Sequence, residues 1–151
     1  MRISAKADYA VRAAVELAAD GEGPVKGERL SEAQDIPLQF LEHILLEMKH
    51  AGLVRARRGA KGGYWLARPA DDITLADVIR AVDGPLANIQ SAPPEALDFL
   101  GNAQPLQQVW IAVRANLRAV LESVTLADLV SGELPPVVEE LSESADAWAP
   151  R

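Results

Sequence analysis

The chain has 151 residues, of which 49% are hydrophobic and 25% charged, and this composition suits one packed domain with an appendage rather than a disordered chain. It contains no cysteine and only two histidines, which excludes disulfides, cysteine-bound zinc or iron–sulfur clusters and a cysteine nucleophile. The sequence has neither an apolar run near the roughly 20 residues that a membrane span needs nor a signal-peptide pattern, so we expect a cytoplasmic protein without a membrane partner.

The formal net charge of −7 is unevenly distributed along the chain. Residues 1–70 carry 11 basic and 9 acidic side chains, whereas residues 71–151 carry 4 basic and 13 acidic ones. Six basic residues and no acidic residue lie between Lys49 and Arg68. Because screening removes the effect of charges more than about 10 Å away, this local basic segment can bind nucleic acid despite the acidic second half.

The first half predicts three helices. Helical spacing of apolar residues indicates a helix over residues 4–20, capped by Ser4 and ended by Gly21. A short helix over 28–34 and a longer one from Pro37 to about Ala51 follow, with a tight turn at 35–36 between them. Gly52 is placed to end the longer helix.

An extended, basic hairpin is predicted next. Residues 53–56 and 64–67 have strand-like patterns, and the intervening stretch 57–63 is rich in glycine and basic residues. The order of helix, helix, tight turn, helix and basic hairpin is typical of a winged helix-turn-helix. Such a fold places one helix in the major groove of DNA and the hairpin in an adjacent minor groove, where arginine is favoured. We therefore predict a mainly helical fold with a small β-hairpin wing that binds double-stranded DNA.

The second half predicts a linker, a long helix and a tail. The tetrapeptide Thr-Leu-Ala-Asp opens helices at residues 74 and 125, as capping boxes, and proline- and glycine-containing residues 85–104 form a loop between them. Pro105 opens a helix to about residue 124, and a short helix ends at Gly132. Apolar residues in this long helix repeat with the a/d spacing of helices that pair, which predicts a dimer interface at Leu106, Trp110, Val113, Leu117, Val120 and Val124. The acidic tail over 133–151 is expected to be flexible.

Several blocks resemble the Rrf2 family of bacterial transcription regulators, of the iron–sulfur cluster regulator type. The most specific match is the wing block Arg-Gly-Ala-Lys-Gly-Gly-Tyr at residues 58–64, supported by residues 1–4, 9–11, 40–42, 51–54, 73–79 and 124–128. The resemblance covers residues 1–132. It implies a homodimer on a palindromic operator, with a DNA-binding domain over 1–84, a sensor-type loop over 85–104, dimerisation through 105–132, and base reading by Leu38, Gln39, Glu42 and His43.

The basic residues around these elements receive separate predicted roles. Arg58 is the candidate for insertion into the minor groove, and Arg55, Arg57 and Lys61 are candidates for phosphate contacts that position the protein without reading sequence. Phosphates could also be reached by Lys6, Tyr9 and Lys26. Glu42 could accept a hydrogen bond from a cytosine amino group or merely be a solvated surface residue.

One departure from the family is plain. Cluster-sensing members carry three cysteines in the loop before the dimer helix, whereas residues 88–104 contain none, so we expect no cofactor. Ile89, Leu97, Phe99 and Leu100 could line a site for a small-molecule or protein effector, or fold onto the chain's own core. We predict a homodimeric repressor and not an enzyme; the alternative is a winged-helix module that binds another protein instead of DNA.

Overall fold

The computed structural model describes residues 2–21 and 23–150; Met1, Glu22 and Arg151, which the predicted ranges include, lie outside the described residues. The first helix, α1, spans Ala5–Asp20, and the Ser4 hydroxyl caps it by accepting a hydrogen bond from the amide of Ala7 at 2.9 Å. It ends at Gly21, which adopts a φ of +73° that few other residues tolerate. The predicted boundaries of this helix are confirmed.

The helix-turn-helix follows. Helix α2 spans Gly27–Gln34 and helix α3 spans Leu38–His50. Asp35 turns the chain between them in the left-handed conformation, with a φ of +50°. Ile36 is buried in that turn, and one face of α3 is fully buried, at Leu41, Ile44, Leu45 and Met48. This apolar stripe fixes which face of α3 remains exposed.

The hairpin, which we call the wing, consists of strands β1 (Val54–Arg57) and β2 (Gly63–Leu66). The strands are antiparallel, with Val54 opposite Leu66 and Arg57 opposite Gly63. Val25 pairs with Tyr64 through two backbone hydrogen bonds of 2.8 Å, which attach the wing to the chain before α2. The predicted winged helix-turn-helix fold is thereby confirmed.

Helices α1 to α3 and the wing together form the N-terminal part that we call the head. Two capping boxes join the head to the second half of the chain. Helix α4 (Leu75–Asp83) starts at Thr74, and helix α6 (Leu126–Ser131) starts at Thr125. The two threonines face each other in an antiparallel bridge, with Leu75 donating to the Val124 carbonyl at 2.9 Å and Leu126 donating to the Ile73 carbonyl at 3.0 Å. The repeated tetrapeptide therefore also brings two helix starts together.

Helix α5 spans Leu106–Leu121, three residues shorter than predicted at its end. Val124, assigned to the dimer interface, lies beyond α5 and is 3% exposed, so its side chain packs within its own subunit. The tail contains a helix that the sequence did not predict, α7 (Pro136–Glu143), with a short 3-10 turn over Ala145–Trp148. Within the parts of the chain that the structure describes, no helix has the length and apolar character of a membrane span.

Candidate nucleic-acid interface

The outward face of α3 carries polar side chains at helical spacing. This face lies opposite the buried stripe and is formed by the exposed residues Gln39, Glu42, His43, Leu46, Lys49 and His50. Three of the predicted base-reading residues belong to it. Leu38, the fourth, is only half-exposed, because it packs over Gly27 at the start of α2. The exposed face of α3 is thus mainly polar, with Leu46, 44% exposed, as its apolar member.

The wing presents basic side chains that are free of acidic partners. Arg55, Arg57, Arg58 and Lys61 are all exposed, and no carboxylate of residues 2–21 and 23–150 lies within 4.0 Å of their charged groups. Arg57 Nη2 donates to the Lys61 carbonyl at 2.9 Å, which closes the wing loop. Arg58 and Lys61 are therefore held on an ordered loop with their charges available.

A cleft of about 340 Å³ separates α3 from the wing. Glu42, Leu46 and Lys49 of α3 line one side, and wing residues 56–59 and 63–64 line the other. Tyr64 lies at this cleft, where burial, followed by the nearby charges of Glu42 and Glu28, raises the pKa of its phenol. The two elements predicted to enter DNA grooves therefore open onto the same side of the molecule.

Like Arg57, two lysines among the predicted phosphate contacts have partners inside the chain. Lys26 Nζ donates to the Gly59 carbonyl in the wing loop at 2.9 Å. Lys6 Nζ lies 3.3 Å from Glu47 Oε2 and 4.0 Å from Asp83 Oδ1. Charge pattern alone identified both lysines as surface cations but could not reveal these partners, which are distant in sequence.

Tyr9, the third residue of that group, is half-buried in an aromatic contact. Its ring packs edge-on against Phe40 of α3, with 5.7 Å between ring centroids. The Arg12 guanidinium lies 4.8 Å from the Tyr9 ring centroid, and Arg12 Nη1 donates to the Gln34 carbonyl at 2.9 Å. Tyr9 and Arg12 thus tie α1 to both helices of the helix-turn-helix.

Helix α5 leaves an apolar groove open beside it. The groove, about 800 Å³ in volume, is lined by α5, α1, α4, the residues just after α4, and Leu141 of α7. Val113, Leu117 and Val120 of the predicted a/d stripe line it, whereas Leu106 and Trp110 are half-buried outside it. No residue of α5 is fully buried, although the whole helix lies within the described residues.

The linker over 85–104 packs against the first half of α5. Gln107 Nε2 donates to the Leu97 carbonyl at 2.7 Å, and Arg114 Nη2 lies 2.6 Å from Glu95 Oε2. The amide of Glu95 and then the Arg114 guanidinium hold the pKa of the Glu95 carboxyl below its ordinary value. Of the predicted apolar residues, Ile89, Leu97 and Phe99 are half-buried, whereas Leu100 is 88% exposed.

Comparison with known families gives one match over most of the chain. The Rrf2 family, described as an iron-dependent transcriptional regulator, matches residues 3–132. The residues here do not fit a cysteine-bound iron site, because the chain has no cysteine. Within the described residues, no group of three or more histidine, aspartate or glutamate side chains gathers at metal-binding distance either. No step of the mechanism is therefore assigned to iron.

The relatives are transcription regulators rather than enzymes. Rv1287 of Mycobacterium tuberculosis, which is named as an HTH-type regulator, is 49% identical over 144 residues, covering 95% of this chain and 89% of that protein. The structure of CymR, the global cysteine regulator of Bacillus subtilis, superposes with a TM-score of 0.74 at 34% identity, covering 87% of this chain and 98% of that one. The structure of T. potens IscR gives a TM-score of 0.69 at 32% identity, covering 100% and 93%. The chain belongs to the Rrf2 family of transcriptional regulators.

Proposed function

We propose that this protein is a homodimeric repressor that binds a palindromic DNA operator without a cysteine-bound iron–sulfur cluster. Each subunit places the start of α3, with Gln39, Glu42 and His43, in the major groove. The wing places Arg58 in the adjacent minor groove, and Arg55 and Lys61 contact phosphates. Lys26 and Arg57 stabilise the wing loop by donating hydrogen bonds to its carbonyls.

The observation that carries the proposal is that α3 and the wing open onto one cleft with unpaired cations. A surface basic residue that has an acidic partner must give up that interaction before it binds phosphate, whereas the wing cations need not. The first turn of α3 also has no acidic residue and no side-chain cap, so its amides are free to meet a phosphate. Both features favour binding of the DNA backbone, which is anionic, with α3 and the wing in neighbouring grooves.

Selection of bound sequences from random double-stranded DNA tests the operator directly, because a palindrome would reveal both specificity and symmetry. On the selected operator, Arg58→Ala should weaken binding by about 1–3 kcal/mol. Arg80→Ala removes the same charge from α4 and should leave affinity nearly unchanged. Unchanged affinity of Arg58→Ala would remove the wing from the mechanism.

Salt dependence separates DNA binding from the alternative, a module that binds another protein. Each phosphate contact should add about −0.9 to the slope of log affinity against log salt concentration. Several contacts per subunit therefore predict a steep loss of affinity for the operator between low and physiological salt. A flat response would support the protein-binding module.

The dimer interface is proposed to consist of the half-exposed stripe of α5 and the groove beside it. The α5 helix of a second subunit would cover both. Leu117→Glu places a charge in this groove and should convert the dimer to monomers in sedimentation experiments. Ala115→Glu is the matched control, because Ala115 is exposed on the opposite side of the same helix. A monomeric wild-type chain would contradict this part of the proposal.

Regulation is proposed to enter through the linker over 85–104, which connects the head to α5. A small-molecule or protein effector bound there would act by favouring one spacing of the two heads over another. Transcription in vitro from a promoter containing the operator tests repression: added protein should lower transcript yield, and increased yield would indicate an activator.

A further inference from the structure

A single ammonium group joins the recognition helix α3, the first turn of α1 and the end of α4. Lys6 Nζ lies 3.3 Å from Glu47 Oε2 of α3 and 4.0 Å from Asp83 Oδ1, and Asp83 is the last residue of α4. The Ser4 hydroxyl donates to Asp83 Oδ2 at 2.6 Å, and His43 Nε2 lies 3.4 Å from Glu47 Oε1. Three elements that are separate in sequence therefore meet at Lys6.

Partial burial distinguishes this junction from an ion pair in open solvent. The side chains of Lys6, Glu47 and Asp83 are each only 28–30% exposed. Glu47 Oε2 has almost no contact with solvent and accepts no hydrogen bond within the described residues, so the nearby ammonium compensates its charge. Without Lys6, the shielded Oε2 of Glu47 would lose its nearby cation, and we expect α3 to shift so that this oxygen meets solvent.

The junction also reaches the linker. Asp83 is followed by Gly84, with a φ of +80°, and then by the proposed regulatory segment. Of the four non-glycine residues with positive φ in the described chain, three lie just beyond, at Ala87, Gln90 and Ser91. Such conformations cost free energy and persist only where the surrounding structure enforces them. A rearrangement of this strained segment would pull on Asp83 and thus on Lys6.

We propose that Lys6 is a positioning residue that couples the linker to the recognition helix, and that it does not contact DNA phosphate. The inference rests on the proposed DNA-binding function. Its physical content is that Lys6 fixes the angle of α3 through Glu47, while Asp83 fixes Lys6. Loss of either partner should therefore reduce discrimination between operator and random DNA, and should do so without changing the number of phosphates contacted.

The first test compares Lys6→Met with Lys61→Met on operator and random DNA over a range of salt concentrations. Lys6→Met should lower the ratio of specific to non-specific affinity about fivefold and leave the salt slope unchanged. Lys61→Met should weaken binding to both DNAs alike and reduce the slope by about 0.9. A Lys6→Met variant that behaves like Lys61→Met, or like wild type, would overturn the proposal.

Asp83→Asn provides a second test, which separates positioning from simple electrostatics. Removing a negative charge should by itself tighten binding to operator and random DNA alike. Positioning predicts instead that the ratio of operator affinity to random-DNA affinity falls about two- to threefold. Unchanged or improved discrimination would refute the coupling through Asp83.

A DNA-free measurement keeps this inference separate from the proposed function. In Asp83→Asn and Lys6→Met, hydrogen exchange of the backbone amides over 44–50 of α3 should accelerate about threefold relative to wild type. Unchanged exchange would overturn the coupling itself. A wild-type protein without preference for any DNA sequence would instead refute the proposed function, and the exchange result would still decide whether Lys6 couples α4 to α3.

Discussion

Glycine is required at three positions of the wing for two different reasons, a positive φ and a lack of space for a β-carbon. Gly59 has a φ of +100° but nothing within 4 Å of an added β-carbon. Gly62 has no positive φ, yet an added β-carbon would stand 2.0 Å from the Arg57 carbonyl oxygen. Gly63 combines both conditions, with a φ of +147° and 2.6 Å to the Val25 carbonyl oxygen. Alanine substitutions therefore measure strain, collision and their combination separately.

The expected losses of stability follow from these distances. Gly59→Ala costs only the strained backbone, about 1 kcal/mol. Gly62→Ala must move the Arg57 carbonyl about 1 Å, which opens the end of the hairpin and the turn bond from Gly62 to Gly59, about 2 kcal/mol for two backbone hydrogen bonds. Gly63→Ala adds strain to the loss of the Val25 bridge, about 3 kcal/mol.

Urea unfolding followed by circular dichroism, at one protein concentration, gives the three values. Loss of operator affinity should follow the same order, because the wing must keep its angle to α3. A Gly62→Ala variant that is no more destabilised than Gly59→Ala would refute this expectation, since the collision would then relax without breaking the hairpin.

Three further outcomes are expected. Leu45→Ala, at a fully buried site, should lower the free energy of unfolding by about 2–5 kcal/mol, whereas Leu46→Ala, 44% exposed, should cost much less. Thr125→Val should cost about 1 kcal/mol in the same urea assay, because it removes the side-chain cap of α6. Glu95 should titrate below its ordinary pKa of 4.5 by NMR, so its stabilising contribution is present above that pH and disappears as the pH falls through the lowered pKa. Arg114→Gln should return that pKa toward 4.5; an unchanged pKa would assign the shift to the backbone alone.

Local sequence signals account well for the head of the molecule. Ser4, Gly21 and Gly52 mark helix ends because capping depends on neighbouring residues, and the buried stripe of α3 follows from helical spacing. The wing is equally local, because its turn needs glycine and its strands are consecutive. These features required no knowledge of distant contacts.

Features that depend on distant partners were not predictable in the same way. The Val25 bridge to Tyr64 is a single pair without a strand pattern. Helix α7 is short, and the two prolines at its start, together with its acidic residues, resemble a loop. Lys6 and Lys26 were identified by charge, but the atoms they contact come from other parts of the chain. A sequence locates basic residues, whereas only the fold shows which of them remain available.

That distinction explains how a chain with a net charge of −7 can present a DNA-binding surface. Outside the wing, three cations of this part of the chain are paired with nearby acids, in the pairs Lys6–Glu47, Arg12–Asp8 and Arg29–Asp20, whereas Lys26 donates to a carbonyl. Residues 1–70 carry 11 basic against 9 acidic side chains, so only weak long-range attraction to random DNA is expected. The free wing cations attract DNA phosphates only within a Debye length of about 8–10 Å. They therefore contribute fully to affinity only once α3 lies in the groove. Discrimination between operator and random DNA should therefore depend on the angle between α3 and the wing more than on total charge.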